Sequence, residues 1–320
     1  MNSNSSTSTG QATHDPRTAD PQAGHGAERH ALVADDGRHL AASWFEPPQG
    51  SARAVAVISS AAGVPRGYYR GFAQWLAQRG YAVLTYDYRG IGGSAPARLR
   101  GFRATMRDWA EQDMAGANAW LAARRPGDAL VAVAHSFGGQ GLPLAPNAGL
   151  LRGAVLVGAQ SGSWRDWPLP SRAGVAAFWY AIIPGLTGAL GYFPSALLGM
   201  GEPLPAGVAR QWARWGRSPG YLSDDRDAAG RSLADAHRAF RAPVLSLSFS
   251  DDFFAPRRAS ETLLSWYGSA DRELRHLRPA DLGQRRVGHF GFFRPAVGGV
   301  LWPEVADWLA ARAGVAAPTS

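Results

Sequence analysis

Short apolar runs alternate with longer segments of helical periodicity along most of this chain. Eight runs have the length and composition of strands: "HALVA" (30–34), "HLAASWF" (39–45), "AVAVISS" (54–60), "AVLTYDY" (82–88), "ALVAVAH" (129–135), "GAVLVGA" (153–159), "PVLSLSF" (243–249) and "ELRHLR" (273–278). Apolar residues three and four apart predict helices at 68–79, 105–124, after Ser136, at 257–268 and at 300–313. This alternation predicts an α/β fold, with a mostly parallel eight-stranded sheet flanked by helices. The turn "DDG" at 35–37 makes the first two strands an antiparallel hairpin.

The N-terminal segment has a different composition. Residues 1–28 are rich in Ser, Thr, Gly, Ala and Pro and have no apolar period, which predicts a disordered tail. They lack the basic and then apolar pattern of a secretory signal, so we expect a cytoplasmic protein. The sequence contains no Cys, which excludes disulfides, thiolate metal sites and a cysteine nucleophile.

The formal net charge of +8 raises the question of a nucleic-acid partner. All basic residues except histidine are Arg, and they are scattered from Arg17 to Arg312. The densest run, "ARLRGFRATMR" at 97–107, belongs to no recognisable nucleic-acid-binding module. We therefore expect no nucleic-acid partner.

Between the sixth and seventh predicted strands, residues 160–240 interrupt the alternation. They contain five Trp, and residues 173–200 carry no charge over a length that could span a bilayer. A single crossing would put strands of one sheet on opposite sides of the membrane, and we expect Pro184 and Pro194 to break the helix. We therefore predict a helical cap, or lid, at 160–240. Contact of this cap with a membrane surface or a lipid stays open.

The fifth strand ends directly on a serine in "VAVAHSFGGQ" (131–140). A sharp turn from a strand into a helix exposes the serine hydroxyl, and it requires small residues two positions before and after it, here Ala134 and Gly138. The same turn aims the backbone N–H of Phe137 at a developing oxyanion. Ser136 is therefore a candidate nucleophile, with an ordinary helix N-cap as the alternative.

A serine nucleophile on this architecture needs an acid and then a histidine later in the chain. His289, in "RRVGHFGFF", lies in a loop between glycines, whereas His276 lies in a strand of alternating exposure. His135 should point away from the nucleophile, and we interpret it as a buried, hydrogen-bonded packing residue. His289 is the predicted base.

The candidate acid follows the seventh predicted strand in "PVLSLSFSDDFFAP". That position is the carboxyl edge of the sheet, where a triad needs its carboxylate. We predict Asp252 as the acid, with Asp251 as the substitute if the register is off by one. A solvated turn is the alternative for this pair.

Together these segments resemble the α/β-hydrolase superfamily, and more narrowly the bacterial hydrolases grouped with serine aminopeptidases and monoacylglycerol-lipase-like enzymes. The resemblance covers roughly residues 30–315 and rests on four segments: "YYRGFAQWLAQRGYAVLTYDYRGIGGS" (68–94), "AHSFGG" (134–139), "DDFFAP" (251–256) and "GHFGFF" (288–293). It implies a catalytic core at 29–159 and 241–315.

The resemblance also implies roles for two loops. Ser60-Ala61-Ala62 stands where the family usually has His-Gly-X, which makes the Ala62 N–H the implied second oxyanion donor. Four residues match the family's D-x-R-G-x-G turn and are expected to hold that loop rather than to catalyse: Asp87, Arg89, Gly90 and Gly92.

Other chemistries lack the residues they need. A calcium loop starting at Asp225 would place Ala229 and Ala236 at ligand positions. "RGIGGSA" lacks dinucleotide-binding glycine spacing, and a chain without Lys has no P-loop. We expect neither a metal nor a cofactor. Ser136 excludes the usual aspartate nucleophile of epoxide hydrolases and haloalkane dehalogenases, whereas cofactor-free perhydrolysis stays open.

The sequence thus predicts a serine esterase acting on a small-molecule ester or thioester of an apolar acyl group. Phe178 and Trp179 in the cap are the candidate substrate-binding residues. An amidase or aminopeptidase is the nearest alternative and would need an acidic subsite, for which the sequence offers Glu202, Asp224 and Asp225. A ligand-binding protein without turnover is the alternative from another class. The oligomeric state is not predicted.

Overall fold

The computed structural model describes residues 28–48, 52–269 and 271–314. The predicted disordered tail lies outside these residues except for Glu28, which begins the first strand. Eight strands form one sheet: β1 (Glu28–Val33), β2 (His39–Phe45), β3 (Ala54–Ser59), β4 (Tyr81–Tyr86), β5 (Leu130–His135), β6 (Leu151–Val157), β9 (Val244–Phe249) and β10 (Arg272–Leu277). A separate small sheet pairs β7 (Tyr192–Phe193) with β8 (Leu204–Pro205).

The strand order in the large sheet is β1-β2-β4-β3-β5-β6-β9-β10. β2 pairs antiparallel with β1 and with β4, and every other neighbouring pair is parallel. The predicted sheet and its opening hairpin are therefore confirmed. Residues of β3, β4, β5 and β9 are all buried, because helices cover both faces of the sheet.

The helices of the described residues are α1 (Arg70–Gln78), α2 (Met106–Asp108), α3 (Ala115–Arg124), α4 (Phe137–Gly141), α5 (Ser171–Ala177), α6 (Ile183–Leu190), α7 (Ala206–Arg217), α8 (Leu233–Ala239), α9 (Arg257–Trp266) and α10 (Pro295–Ala313). Helices α1, α3, α4, α9 and α10 contact strands of the large sheet, whereas α5 to α8 lie in the segment between β6 and β9. A π-helical segment, Trp109–Met114, joins α2 to α3. The five predicted helices are all present, and their ends differ from the prediction by a few residues.

The strand order creates a crevice at the carboxyl ends of β3 and β5. The chain leaves β3 for β4 on one side, whereas β5 lies on the other side of β3 and is followed by β6 further out. Ligands of open α/β sheets bind at such a switch point, outside the carboxyl ends of the strands. Ser136 follows β5 directly, and Ala62 lies in the loop after β3.

The segment between β6 and β9 contains one long helix, Ser171–Leu190, built from α5, a π-helical turn (Phe178–Ile182) and α6. It is long and apolar enough to cross a membrane, with a mean hydropathy of 1.5 in its most apolar window, and 22% of that window is buried. The expectation that Pro184 breaks this helix is wrong. Proline clashes with the carbonyl four residues earlier, here that of Tyr180, and the wider π-helical turn around Tyr180 accommodates it.

This helix has two different faces. A stripe at intervals of four residues points inward and is buried: Val175, Trp179, Ile183 and Thr187. Tyr180 and Ile182 lie outside this stripe and are 54% and 40% exposed. The helix therefore covers the interior with one apolar face and presents a second apolar face to the outside.

Candidate active site

Ser136 has a strained backbone. Its φ of 52° and ψ of −113° lie outside the regions that residues with a side chain usually adopt. The strain comes from the immediate turn of β5 into α4, and the Ser136 N–H still donates to the Val157 carbonyl at 2.9 Å. Gly138 is needed for this turn, because a Cβ there would lie 2.3 Å from the Ser59 carbonyl oxygen. The same close approach brings the loop after β3 beside Ser136.

The Ser136 side chain does not cap the helix that follows it. A capping serine accepts a hydrogen bond from a backbone N–H in the first helical turn, and this hydroxyl accepts none. The N-cap interpretation therefore lacks the hydrogen bond that would justify it. Strain combined with an uncommitted polar group is typical of functional positions.

The imidazole of His289 and the carboxylate of Asp252 form a hydrogen-bonded pair. The distance from His289 Nδ1 to Asp252 Oδ2 is 2.8 Å, and both residues are buried. The other carboxylate oxygen of Asp252 accepts the N–H groups of Phe254 and Ala255 at 2.8 and 3.0 Å. These bonds fix the carboxylate, which in turn fixes the orientation of the imidazole.

The neighbouring carboxylate has different partners. Asp251 accepts the backbone N–H groups of Val287 and Gly288 at 2.9 to 3.0 Å. It therefore holds the loop that carries His289, whereas Asp252 contacts the imidazole itself. The geometry favours Asp252 over the substitute Asp251.

Gly158 connects Ser136 with this pair. It directly follows Val157, whose carbonyl accepts the Ser136 N–H, and it has a φ of 56°. A Cβ at Gly158 would lie 3.2 Å from both Asp252 Oδ2 and His289 Nδ1. The serine, the imidazole and the carboxylate therefore lie around one short stretch of backbone at the carboxyl edge of the sheet.

His135 and His276 lie elsewhere in the hydrogen-bond network. His135 is fully buried and bonds to the Tyr69 hydroxyl and the His289 carbonyl, each at 2.9 Å. Burial lowers the pKa of His135 well below its ordinary range. His276 is half-buried on β10, 2.8 Å from the Ser248 hydroxyl. His135 is thus the buried, hydrogen-bonded residue that the sequence predicts.

Two backbone N–H groups near Ser136 are the candidate oxyanion donors. Phe137 is the first residue of α4, and an N–H at that position has no acceptor within its own helix. In the loop after β3, the Ala61 N–H donates to the Tyr69 hydroxyl at 2.9 Å. Within the part of the chain that the structure describes, no group accepts the next N–H, that of Ala62.

The D-x-R-G-x-G turn is held by buried ion pairs. Asp87 binds the Arg66 guanidinium and accepts the N–H groups of Arg66 and Gly93 at 2.6 and 2.8 Å. Burial raises the pKa of Asp87, and its bonds with Arg66 oppose that rise. Arg89 pairs with Asp113 and with Asp36. These contacts agree with a loop-holding role.

The inserted segment packs on this turn and on the loop after β3. The Glu202 N–H donates to the Gly63 carbonyl, and its carboxylate accepts the Gly92 N–H, both at 2.7 Å. A Cβ at Gly63 would lie 2.9 Å from the Glu202 carbonyl, and a Cβ at Gly90 would lie 2.5 Å from Pro205. Residues 200–205 therefore cover the loop that carries Ala62.

Phe178 and Trp179 lie inside the inserted segment. Their rings contact each other, and Trp179 packs against Trp212 with 4.9 Å between ring centroids. Trp179 also covers Gly216, where a Cβ would lie 2.4 Å from the indole. The described ring contacts thus join these two residues to other parts of the same segment rather than to His289, whose ring neighbours are His135, Phe254 and Phe290.

Sequence reasoning missed the roles of Tyr68, Tyr69 and Gly158, and it considered Glu202 only for an acidic subsite rather than for its contacts with Gly63 and Gly92. Tyr69 falls within the helix predicted at 68–79, a prediction that rests on apolar side chains and takes no account of the Tyr69 hydroxyl. The signal that was available is the pair "YY" within the segment shared with the hydrolases. Tyr68 donates to the Phe290 carbonyl at 2.7 Å, so both tyrosines support the site.

Comparison with known proteins identifies the family of this chain. The family model described as "Serine aminopeptidase, S33" matches residues 50–279. A search of curated proteins finds no match.

Similar solved structures show the same fold. The esterase domain of a Rhodothermus marinus protein has a TM-score of 0.56 and 15% identity, and the match covers 89% of this chain and 98% of that one. The monoacylglycerol lipase of Paleococcus ferrophilus has a TM-score of 0.55 and 16% identity, covering 85% and 99%. A thermophilic esterase from Thermogutta terrifontis has a TM-score of 0.56 and 15% identity, covering 89% and 98%.

The family match spans well over half of the chain, and the eight-stranded sheet agrees with these structures. The chain therefore belongs to the serine aminopeptidase S33 family of the α/β-hydrolase superfamily and is a hydrolase.

Proposed function

We propose that this hydrolase is a serine esterase that cleaves esters or thioesters of apolar acyl groups through Ser136, His289 and Asp252. The observation that carries the proposal is a serine with a strained backbone, whose hydroxyl does not cap the following helix, at the same carboxyl ends of the strands as a buried His–Asp pair 2.8 Å apart. The Ser136 turn alone, or the His–Asp pair alone, could serve the fold only. Because both lie at the switch point of the sheet, they support a nucleophile with its base.

The proposed reaction has two stages. The Ser136 hydroxyl attacks the carbonyl carbon while His289 Nε2 takes its proton, and the N–H groups of Phe137 and Ala62 bind the oxyanion. The tetrahedral intermediate collapses, and the leaving alcohol or thiol takes the proton from His289. Water then gives its proton to His289, attacks the acyl-enzyme and releases the acid, after which Ser136 recovers its proton. Asp252 accepts a hydrogen bond from the His289 Nδ1–H throughout and holds the ring in the productive tautomer.

The acidic residues of the inserted segment support an ester over a substrate with a free amine. Glu202 accepts the Gly92 N–H, and Asp224 accepts from the Ser218 hydroxyl and from the Gly220 N–H. Asp225 pairs with Arg214 and also accepts from the Trp215 indole at 2.7 Å. These carboxylates already accept hydrogen bonds from within the protein, and the charge of Asp225 is paired with Arg214, so they attract an ammonium group less than unpaired carboxylates would. An aminopeptidase subsite built from them is therefore disfavoured.

The composition of the inserted segment supports an apolar acyl group. We propose that residues 160–240 form a cap and that its inward apolar face, which includes Phe178 and Trp179, supplies the acyl wall. Residues 173–200 carry no charge, and the buried stripe of the long helix is apolar except for Thr187. The similar structures named as esterases and as a monoacylglycerol lipase are consistent with such a substrate.

Hydrolysis of a graded series of p-nitrophenyl esters tests this proposal. We expect kcat/KM to rise from acetate to medium-length acyl chains, because each buried methylene contributes up to about 0.8 kcal/mol, or roughly fourfold. Ser136→Ala should abolish all of these activities, and amino-acid p-nitroanilides should be poor substrates. Faster hydrolysis of aminoacyl anilides than of any ester would contradict the proposed substrate class.

A further inference from the structure

Three buried hydrogen bonds connect the loop after β3 with the loop that carries His289. The Ala61 N–H lies 2.9 Å from the Tyr69 hydroxyl oxygen, which lies 2.9 Å from His135 Nδ1. His135 Nε2 lies 2.9 Å from the His289 carbonyl oxygen. Tyr69 and His135 are completely buried, so water does not compete for these groups.

The groups at the two ends of this series, the Ala61 N–H and the His289 carbonyl, determine which atom donates in each hydrogen bond. The Ala61 amide can only donate and the His289 carbonyl can only accept. His135 must therefore carry its proton on Nε2, and its Nδ1 must accept the proton of the Tyr69 hydroxyl. The hydroxyl oxygen accepts the Ala61 N–H. One tautomer and one hydroxyl orientation satisfy all the groups.

This series of hydrogen bonds includes the residue next to the candidate nucleophile. His135 immediately precedes Ser136, and its ring centroid lies 4.9 Å from that of His289. Ala61 immediately precedes Ala62, so fixing the Ala61 amide limits how the next peptide group can turn. Fixing the His289 carbonyl limits the backbone from which the imidazole extends.

We propose that Tyr69 and His135 are positioning residues that couple the geometry of the oxyanion loop to that of the His289 loop. The proposal rests on the proposed function, because it gives those two loops their catalytic roles. Neither residue touches the substrate. They act by setting the positions of the Ala62 N–H and the His289 imidazole relative to Ser136 at the same time, and small displacements of such groups strongly reduce catalysis.

Tyr69→Phe tests the coupling, because it removes one hydroxyl and leaves the aromatic ring. We expect kcat to fall about ten- to a hundredfold, with KM changed less than about threefold, since the loss concerns groups that act in the transition state. The affinity for an aryl boronic acid, which mimics the tetrahedral intermediate, should fall in parallel with kcat/KM.

Tyr81→Phe is the matched control. Tyr81 is also buried, and its hydroxyl donates to the Ala306 carbonyl at 2.6 Å. It is the first residue of β4 and therefore lies at the end of the strand that is opposite to the candidate site. This variant should lose a buried hydrogen bond and keep its kcat and its boronic-acid affinity. Equal kcat in the Tyr69→Phe and Tyr81→Phe variants would overturn the coupling.

A second pair of variants covers the case in which Tyr69→Phe does not fold. The amide of His135→Gln retains a donor and an acceptor, whereas His135→Leu retains neither. We expect His135→Gln to retain more kcat than His135→Leu. Equal losses in the two variants would overturn the role of His135.

Nitrogen-15 NMR of the histidine side chains provides a readout that needs no turnover. We expect a neutral Nε2–H tautomer for His135 in the wild-type protein and a changed His289 signal in Tyr69→Phe. An Nδ1–H tautomer, or an unchanged His289 signal, would overturn the coupling even in an active enzyme. The expected spectra in a wild-type protein without esterase activity would instead reject the proposed function and leave the coupling standing.

Discussion

At the scale of single residues, the adjacent carboxylates Asp251 and Asp252 differ in what they contact. Asp252 accepts from His289 Nδ1 and from two backbone N–H groups of its own turn. Among the residues that the structure describes, Asp251 accepts hydrogen bonds from the backbone N–H groups of Val287 and Gly288. One side chain orients the candidate base, and the other orients the loop on which the base is carried.

Replacing each carboxylate by its amide separates these two roles. Asp252→Asn should lower kcat by about 10⁴-fold, because an amide that donates to Nδ1 stabilises the wrong imidazole tautomer. Asp251→Asn retains one acceptor oxygen and should cost about tenfold or less. The measurement is kcat for one p-nitrophenyl ester, with circular dichroism to verify folding. A larger loss in Asp251→Asn would mean that Asp251 is the acid.

The sequence could identify a candidate site residue only where its order in the chain or its neighbouring residues distinguish it from others of the same type. The order serine, acid, histidine and the glycines around His289 led to Ser136 and His289 as candidates, and their catalytic roles stay a prediction. Asp252 and Asp251 could not be separated by sequence with certainty, because one residue of register decides which carboxylate meets the imidazole. Tyr69 was assigned to a helix stripe, since its hydrogen bond with His135 joins positions 66 residues apart in the chain.

At the scale of elements, the segment between α6 and α7 covers the loop after β3. Gly201 has a φ of 89°, and a Cβ there would lie 2.3 Å from the Gly63 carbonyl oxygen. Gly199 also has a positive φ, 67°, but a Cβ there would have no neighbour within 4 Å. Both glycines relieve backbone strain, and only Gly201 permits the close approach of the two elements.

This difference predicts unequal effects of alanine at the two glycines. Gly199→Ala should cost about 1 kcal/mol of stability from left-handed strain and leave kcat unchanged. Gly201→Ala has the same strain and also pushes against the loop that carries Ala62, so we expect kcat to fall at least about tenfold. Stability from chemical unfolding and kcat on one ester measure both effects. Equal kcat in the two variants would show that this contact does not shape the site.

The long helix of the inserted segment shows where sequence periodicity fails at this scale. Uncharged residues 173–200 suggested a helix interrupted at Pro184, but the helix continues from Ser171 to Leu190. The π-helical turn at Phe178–Ile182 that accommodates the proline leaves no trace in a pattern of period 3.6. The sheet was predictable, because each strand is an apolar run between turns.

At the scale of the whole molecule, the interior contains histidines that must stay neutral. His135 lies under the candidate site, and His237 lies on α8, with its Nε2 3.0 Å from the Gln140 carbonyl. Burial lowers the pKa of His237 to about 4 and lowers that of His135 well below its ordinary range. The unfolded chain binds a proton at each of these residues at a higher pH than the folded protein does.

The free energy of unfolding should therefore decrease as pH falls below the ordinary histidine pKa of about 6.5. Between that pH and the folded pKa of about 4, His237 should contribute a slope approaching about 1.4 kcal/mol per pH unit. His237→Gln removes this titration, so its stability should depend less on pH in that window. Urea unfolding at pH 4.5 to 8 measures the difference, with pH 8 as the baseline. Parallel pH profiles for the variant and the wild-type protein would contradict a neutral buried His237.

The account as a whole depends on one activated serine, and covalent labelling by a fluorophosphonate tests it most directly. The probe reacts only with a serine whose hydroxyl is activated by a neighbouring base. We predict stoichiometric labelling of the wild-type protein, with the modification mapped to Ser136 by peptide mass spectrometry. Labelling should be absent in Ser136→Ala and strongly slowed in Asp252→Asn, while Tyr81→Phe labels normally. An unlabelled wild-type protein, or labelling that persists in folded Ser136→Ala, would contradict the central claim.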